Sequence, residues 1–121
     1  MTYTETIEQY QKWTRSTFMR DAMIANLKPE NAPIIYAAVE INGEAGELAD
    51  IVKKQYIRDN DGNISPEIAE ALFKEMGDVL YGLCRLADEL GFDIMEIARA
   101  NVAKLESRNE RGVIGGSGDE R

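Results

Sequence analysis

The sequence predicts an all-α protein organised as a four-helix bundle, and three observations carry that expectation. Leu, Ile, Ala and Glu are abundant, prolines number only 3, and aromatics make up 7% of the chain, a balance that favours helix over strand. Apolar residues line up in stripes at helical spacing along four segments. Start and stop signals punctuate those segments: Ser65-Pro66 and Asp93 as caps, and Gly91 and Asp61-Gly62 as breaks. The 121 residues suit a single domain, 1–121, large enough to bury a core.

The first helix is expected over residues 3–27, with Thr2 or Thr4 as cap and Ile7, Tyr10, Phe18 and Ala22 among its apolar positions. Trp13 lies near that stripe. It either packs at a helix–helix or subunit contact or offers a stacking face for a base. Lys28-Pro29-Glu30-Asn31 breaks the chain, because a residue before proline avoids the α region. Pro33 suits the first turn of a second helix, with Asn31 or Ala32 at its cap.

The second helix, residues 33–56, carries an unusual acidic edge. At about 100° per residue, Glu40, Glu44 and Glu47 fall within an arc of roughly 60°. Ile41, Ala45, Leu48 and Val52 form an adjoining apolar stripe, so the carboxylates sit at the margin of a buried seam. Residues 58–65 form a turn-rich loop. It lacks the terminal Glu of a calcium-binding EF-hand loop. A third helix, residues 66–90, starts at Ser65-Pro66 and stops at Gly91. It repeats the acidic margin with Glu75 and Asp78 beside Leu72, Met76, Val79 and Leu83. Four carboxylates facing one another from two helices would make an oxygen cage for a hard divalent cation such as Mg²⁺. Interior glycines at 43, 46, 77 and 82 either leave room beside that cage or let helices approach closely.

Asp93 caps the fourth helix, residues 94–108, whose stripe includes Ile94, Ala98, Val102 and Leu105. Asn101, Lys104 and Arg108 share another face at spacings of three and four. An amide, an ammonium and a guanidinium in one row suit phosphate oxygens, although a solvated helix face has the same composition. The tail, residues 109–121, is rich in glycine and cannot continue the helix. It is a flexible terminus by default, or else a loop that folds over something.

Charge and composition exclude several functions. A net charge of −8 with no histidine argues against a nucleic-acid surface, which needs clustered Lys and Arg. It is compatible with a nucleotide substrate, since a bound cation inverts the local sign of charge. The single Cys84 lies in an apolar run, so no disulfide framework forms and a reducing compartment is expected. No histidine is present to activate it as a nucleophile. There is no signal-peptide pattern and no apolar run of the roughly 20 residues that a membrane span needs. A cytoplasmic protein with no membrane partner is expected.

Glu44-x-x-Glu47, a helical interval and Glu75-x-x-Asp78 resemble the paired E-x-x-E and E-x-x-D signature of the MazG-like, all-α nucleoside triphosphate pyrophosphohydrolases. Asn101-x-x-Lys104 followed by Arg108 resembles a segment of that family's last helix. The ending ERGVIGGSGDER is similar to that of small, single-domain, often phage-encoded members. One departure is Gly43, where many members carry a further glutamate; Glu40, one turn earlier, is its candidate substitute. The resemblance implies Mg²⁺-dependent hydrolysis of (deoxy)nucleoside triphosphates between the α- and β-phosphates, with Mn²⁺ as an alternative ion and nucleotide-pool control as the theme. It also implies a homodimer or homotetramer. Glu44, Glu47, Glu75 and Asp78 would hold metal. Asn101, Lys104 and Arg108 would bind phosphates, and Trp13 is a candidate for the base.

Two further readings compete with this one. A non-catalytic helical module could bind a nucleotide or a protein partner on the same scaffold. A carboxylate-bridged redox-metal bundle normally pairs glutamates with E-x-x-H motifs, which a chain without histidine lacks. Apolar Met19, Ile34 and Ile35 are expected to need cover from another subunit.

Overall fold

The computed structural model describes residues 5–120, and among these it contains five α-helices and no strand: α1 (Ile7–Thr17), α2 (Arg20–Asn26), α3 (Ala32–Ile51), α4 (Pro66–Glu89) and α5 (Ile94–Glu110). The chain divides into two compact units, Met1–Ala32 and Pro33–Arg121.

In the first unit α1 is capped by Thr6, whereas the expected caps, Thr2 and Thr4, lie outside the described residues. Gln9 N–H donates to Thr6 Oγ1 at 3.1 Å, and Thr6 N–H donates to Gln9 Oε1 at 3.1 Å, a reciprocal capping box. The single helix expected over 3–27 is instead two, interrupted at Phe18-Met19. The cause is local. The hydroxyls of Thr14, Ser16 and Thr17 all donate back to carbonyls three residues earlier. Such back-bonding competes with the helical ladder and weakens the last turn. Pro29–Asn31 forms one 3₁₀ turn. Asn31 Nδ2 donates to Asn26 O at 2.8 Å, so its amide closes the end of α2.

The second unit holds α3, α4, α5 and the tail. Beyond Ile51 the helical path widens to π geometry over Val52–Arg58 and so extends past the expected end at Tyr56. Asp59 N–H reaches Lys54 O at 2.8 Å across that wider turn. Asp50 forms ion pairs with Lys54 at 2.8 Å and Lys53 at 3.8 Å along the same flank. Asp61 and Gly62 both take positive φ, at 52° and 75°, and turn the chain back toward α4.

Ser65 caps α4, accepting from Ile68 N–H at 3.2 Å, with Pro66 in the first turn. At the other end Gly91 (φ 75°) lets Phe92 N–H reach Ala87 O at 2.8 Å, a left-handed closure that any side chain would strain. Two residues later Asp93 opens α5, accepting from Met95 N–H at 2.7 Å. Gly112 (φ 72°) repeats the closure after α5, with Val113 N–H on Arg108 O at 2.8 Å.

Helices α3 and α4 meet at Gly82. A β-carbon at that position would lie 2.8 Å from Ile41 Cγ1 and 3.6 Å from the backbone N and Cα of Ile41. Close helix approach, and not room for an ion, is therefore the reason for this glycine. Ile41 meets Gly82 while Glu44 lies by Asp78 and Glu75, so the contacts advance along α3 as they recede along α4, the order of an antiparallel pair. The interior is built of small residues and one isoleucine: Ala37, Ile68, Gly82 and Ala87 are buried. Large apolar side chains remain on the outside, including Tyr36 on α3 (72% exposed) and Phe73 on α4 (73% exposed).

Candidate metal centre

The crossing of α3 and α4 converts two sequence motifs into one cluster. Residues three apart on a helix lie on the same face, so α3 offers Glu44 and Glu47 together and α4 offers Glu75 and Asp78 together. One carboxylate oxygen each from Glu44, Glu75 and Asp78 lies within 4.8 Å of the other two. Glu44 and Glu75 are half-buried and Asp78 is exposed. Three of the four expected ligands therefore converge. The fourth, Glu47, is exposed and stands beside Glu44, outside the converging trio. Glu40 is half-buried on the same helix and is likewise not part of the group. Around Gly43, Gly46 and Gly77 a β-carbon would meet nothing within 4 Å.

The electrostatics of the cluster are unbalanced. Glu44 Oε2 and Glu75 Oε2 are buried, and neither has a hydrogen-bond partner among the described residues. Two ionised carboxylates only accept, so they can satisfy one another only by sharing a proton. Accordingly Glu44 is pushed up from 4.5 to about 7. Loss of hydration is the largest cause, followed by the charge of Glu47, the close approach of the Glu75 and Glu47 carboxyl groups, and the charge of Asp78. No ion pair among the described residues involves any of these four acids. Buried acceptors converging without a counter-charge fit a divalent cation, which would replace the shared proton. Next to the cluster, a cleft of about 300 Å³ is lined by Ile51, Glu67, Glu70, Ala71, Lys74 and Glu75. Glu75 thus belongs to both.

The row on α5 is occupied differently from the simplest expectation. Asn101 is exposed, Lys104 half-buried and Arg108 buried. The tail does not trail away; it folds back over α5. Arg108 Nη2 donates to Asp119 O at 2.7 Å and to Gly118 O at 3.3 Å, while Asp119 Oδ1 lies 3.4 Å from both Arg108 Nη2 and Lys104 Nζ. The hydrogen bond and charge of Lys104, then those of Arg108, hold the Asp119 carboxyl below the usual carboxylate range. Asp119 is the partner of this row that sequence reasoning missed. The available signal was an acid in a glycine-rich ending, downstream of two cations one helical turn apart. Trp13, in the first unit, packs its ring against Tyr10 with centroids 5.8 Å apart and stays partly exposed.

A family model for the MazG nucleotide pyrophosphohydrolase domain matches residues 37–113, a span that includes all four acids and the α5 row. The chain belongs to the MazG nucleotide pyrophosphohydrolase domain family. A MazG-type fold accounts for the all-helical architecture. The Gene 37 protein of Mycobacterium phage L5 is 44% identical over 86 residues, which cover 71% of this chain and 75% of that relative. This agrees with the phage-type resemblance of the sequence. No solved structure matches the chain at a significant level. The matched MazG span ends before Gly118 and Asp119. Among the described residues no helix is long and apolar enough to cross a membrane.

Proposed function

We propose that this MazG-family chain is a Mg²⁺-dependent nucleoside triphosphate pyrophosphohydrolase, releasing a monophosphate and pyrophosphate from (deoxy)nucleoside triphosphates. The observation that carries the proposal is the convergence of Glu44, Glu75 and Asp78 within 4.8 Å, with two of their oxygens buried and unpartnered. Glu44, Glu75 and Asp78 would hold the ion. When bound, Mg²⁺ supplies positive charge to phosphate oxygens and lowers the pKa of a water. Phosphoanhydride cleavage needs alignment and charge neutralisation more than covalent help. Glu47 stands beside Glu44 without joining the trio, which suits it to take the proton of the attacking water. Asn101 and Lys104 are the accessible members of the expected phosphate-binding row, with Lys104 its principal charge, while Arg108 lies buried beneath the tail and backs the row without reaching substrate. The cleft sharing Glu75 provides space for substrate beside the ion. Mn²⁺ would substitute, since it takes the same oxygen ligands.

We further propose that the protein works as a homodimer or homotetramer in the cytoplasm, controlling nucleotide pools. Support comes from the exposed apolar side chains of α3 and α4, Tyr36, Val39, Phe73, Met76 and Leu80, a surface that calls for cover. Sedimentation at micromolar concentration tests the assembly, and a pure monomer would refute it.

The decisive experiment is a panel of canonical and modified triphosphates with Mg²⁺ or Mn²⁺, reading monophosphate and pyrophosphate together. Glu44→Gln and Asp78→Asn should each abolish turnover while leaving the helical circular dichroism intact. Release of orthophosphate alone, or unchanged turnover in both variants, would sink the assignment.

A further inference from the structure

The tail is held on α5 in two different ways. Its backbone is held firmly: the 2.7 Å bond from Arg108 Nη2 to Asp119 O is as short as charge-assisted hydrogen bonds become. Together with the bond to Gly118 O, it leaves Arg108 only 4% exposed. Its carboxylate is held loosely. Asp119 Oδ1 stands 3.4 Å from both Lys104 Nζ and Arg108 Nη2, well beyond the optimum for such pairs, and the Asp119 side chain is 82% exposed. An oxyanion thus rests between an ammonium and a guanidinium while the chain that carries it is pinned independently.

We propose that Asp119 is an internal stand-in for a substrate phosphate, occupying the Lys104 ammonium until a phosphate chain displaces it. This inference rests on the reading of Lys104 as a phosphate ligand and adds a competitor to that site. A pyrophosphate group brings more charge and more acceptor oxygens than one carboxylate, so it wins the ammonium. The main-chain bonds to Arg108 need not break for this to happen. Only the Asp119 side chain turns away, into the solvent it already faces. The tail therefore stays docked and sets a modest bias: Asp119 competes more effectively with weakly charged anions for Lys104 than with polyphosphates.

Calorimetric titration of the full-length protein with inorganic pyrophosphate in excess Mg²⁺ tests this. Asp119→Asn should bind about two- to fivefold more tightly than the unaltered protein, the range that corresponds to loss of an exposed ion pair. Asp119→Glu, which keeps the charge, should stay close to the unaltered value, and Lys104→Gln should bind more weakly. Equal or weaker binding by Asp119→Asn, or equal tightening by Asp119→Glu, overturns the inference. If Lys104→Gln weakens binding while Asp119→Asn changes nothing, only the competitor idea falls. If Lys104→Gln binds like the unaltered protein, the phosphate reading of Lys104 falls with it.

Discussion

Replacing Gly82 by alanine tests the helix crossing that brings the carboxylates together. The new β-carbon would sit 2.8 Å from Ile41 Cγ1, against about 3.5–4.0 Å for an ordinary carbon contact. Ile41 has little freedom to yield, because a β-branched side chain in a helix strongly prefers one χ1 rotamer. Overpacking of this kind costs about 1–3 kcal/mol. The same substitution also removes a helical glycine, which stabilises by about 0.5–1 kcal/mol. Gly77 separates the two effects: it lies in the same helix, and a β-carbon there meets nothing within 4 Å. Gly77→Ala should stabilise by about 0.5–1 kcal/mol. The propensity gain cancels between the two variants, so Gly82→Ala should be the less stable by about 1–3 kcal/mol. Urea denaturation followed by circular dichroism, at one protein concentration and without metal, reads the difference as a shift in midpoint at constant slope. Adding Ile41→Ala to Gly82→Ala should recover part of the loss, a non-additivity expected of touching residues. Equal stability of Gly82→Ala and Gly77→Ala would refute this account of the crossing.

Three further outcomes follow from the same geometry. In the metal-free fold Glu44 holds a proton up to about pH 7, whereas its ordinary value is 4.5. The folded state therefore binds more protons than the unfolded chain between those values. The resulting stability is fully present below about pH 4.5 and is lost as pH rises through 7. The thermal midpoint of metal-free protein should fall from pH 5 to pH 8 more steeply than that of Glu44→Gln, and equal slopes would count against the shared proton. Glu44→Gln should also be at least as heat-stable as the unaltered protein at pH 8 without metal, while gaining nothing from added Mg²⁺, because a ligand stabilises only a fold that binds it. Arg108→Ala should destabilise by about 1.5–3 kcal/mol, the scale of a hydrogen bond to a charged group, and speed amide hydrogen exchange across residues 113–120. Unchanged exchange there would show that Arg108 does not anchor the tail.

Much of the second unit was legible in the sequence because its signals are local. Ser65, Asp93 and Gly91 act through hydrogen bonds spanning no more than five residues, Pro66 acts through its fixed φ in the first turn, and each does what its chemistry suggests. The pairing of Glu44 with Glu47, and of Glu75 with Asp78, follows from helical spacing alone. Which three of the four converge does not follow, because it depends on where α3 and α4 touch. That contact, Ile41 against Gly82, joins residues far apart in the chain. The break at Phe18-Met19 was masked by the apolar stripe running through it; the Thr-Arg-Ser-Thr run, whose hydroxyls turn back on the ladder, was the overlooked sign. The docked tail was hidden for a different reason. Asp119 meets Lys104 and Arg108 after left-handed turns at Gly112, Gly116 and Gly118 redirect the chain, and a glycine-rich ending looks the same whether it docks or not.

The position of the helix crossing also governs how the carboxylates respond to motion of α4. At 1.5 Å per residue, Asp78 lies about 6 Å and Glu75 about 10 Å along α4 from Gly82, while Pro66 lies about 24 Å away. If α4 pivots by roughly 10° about Gly82, Asp78 moves about 1 Å and Glu75 just under 2 Å, but Pro66 swings about 4 Å. Acids close to a fulcrum travel less than half as far as the end of the helix, yet even about 1 Å is several times the roughly 0.2 Å that a metal's ligand distances tolerate. A force on the far end of α4 would therefore reach an ion as a reduced but still sufficient change in ligand spacing.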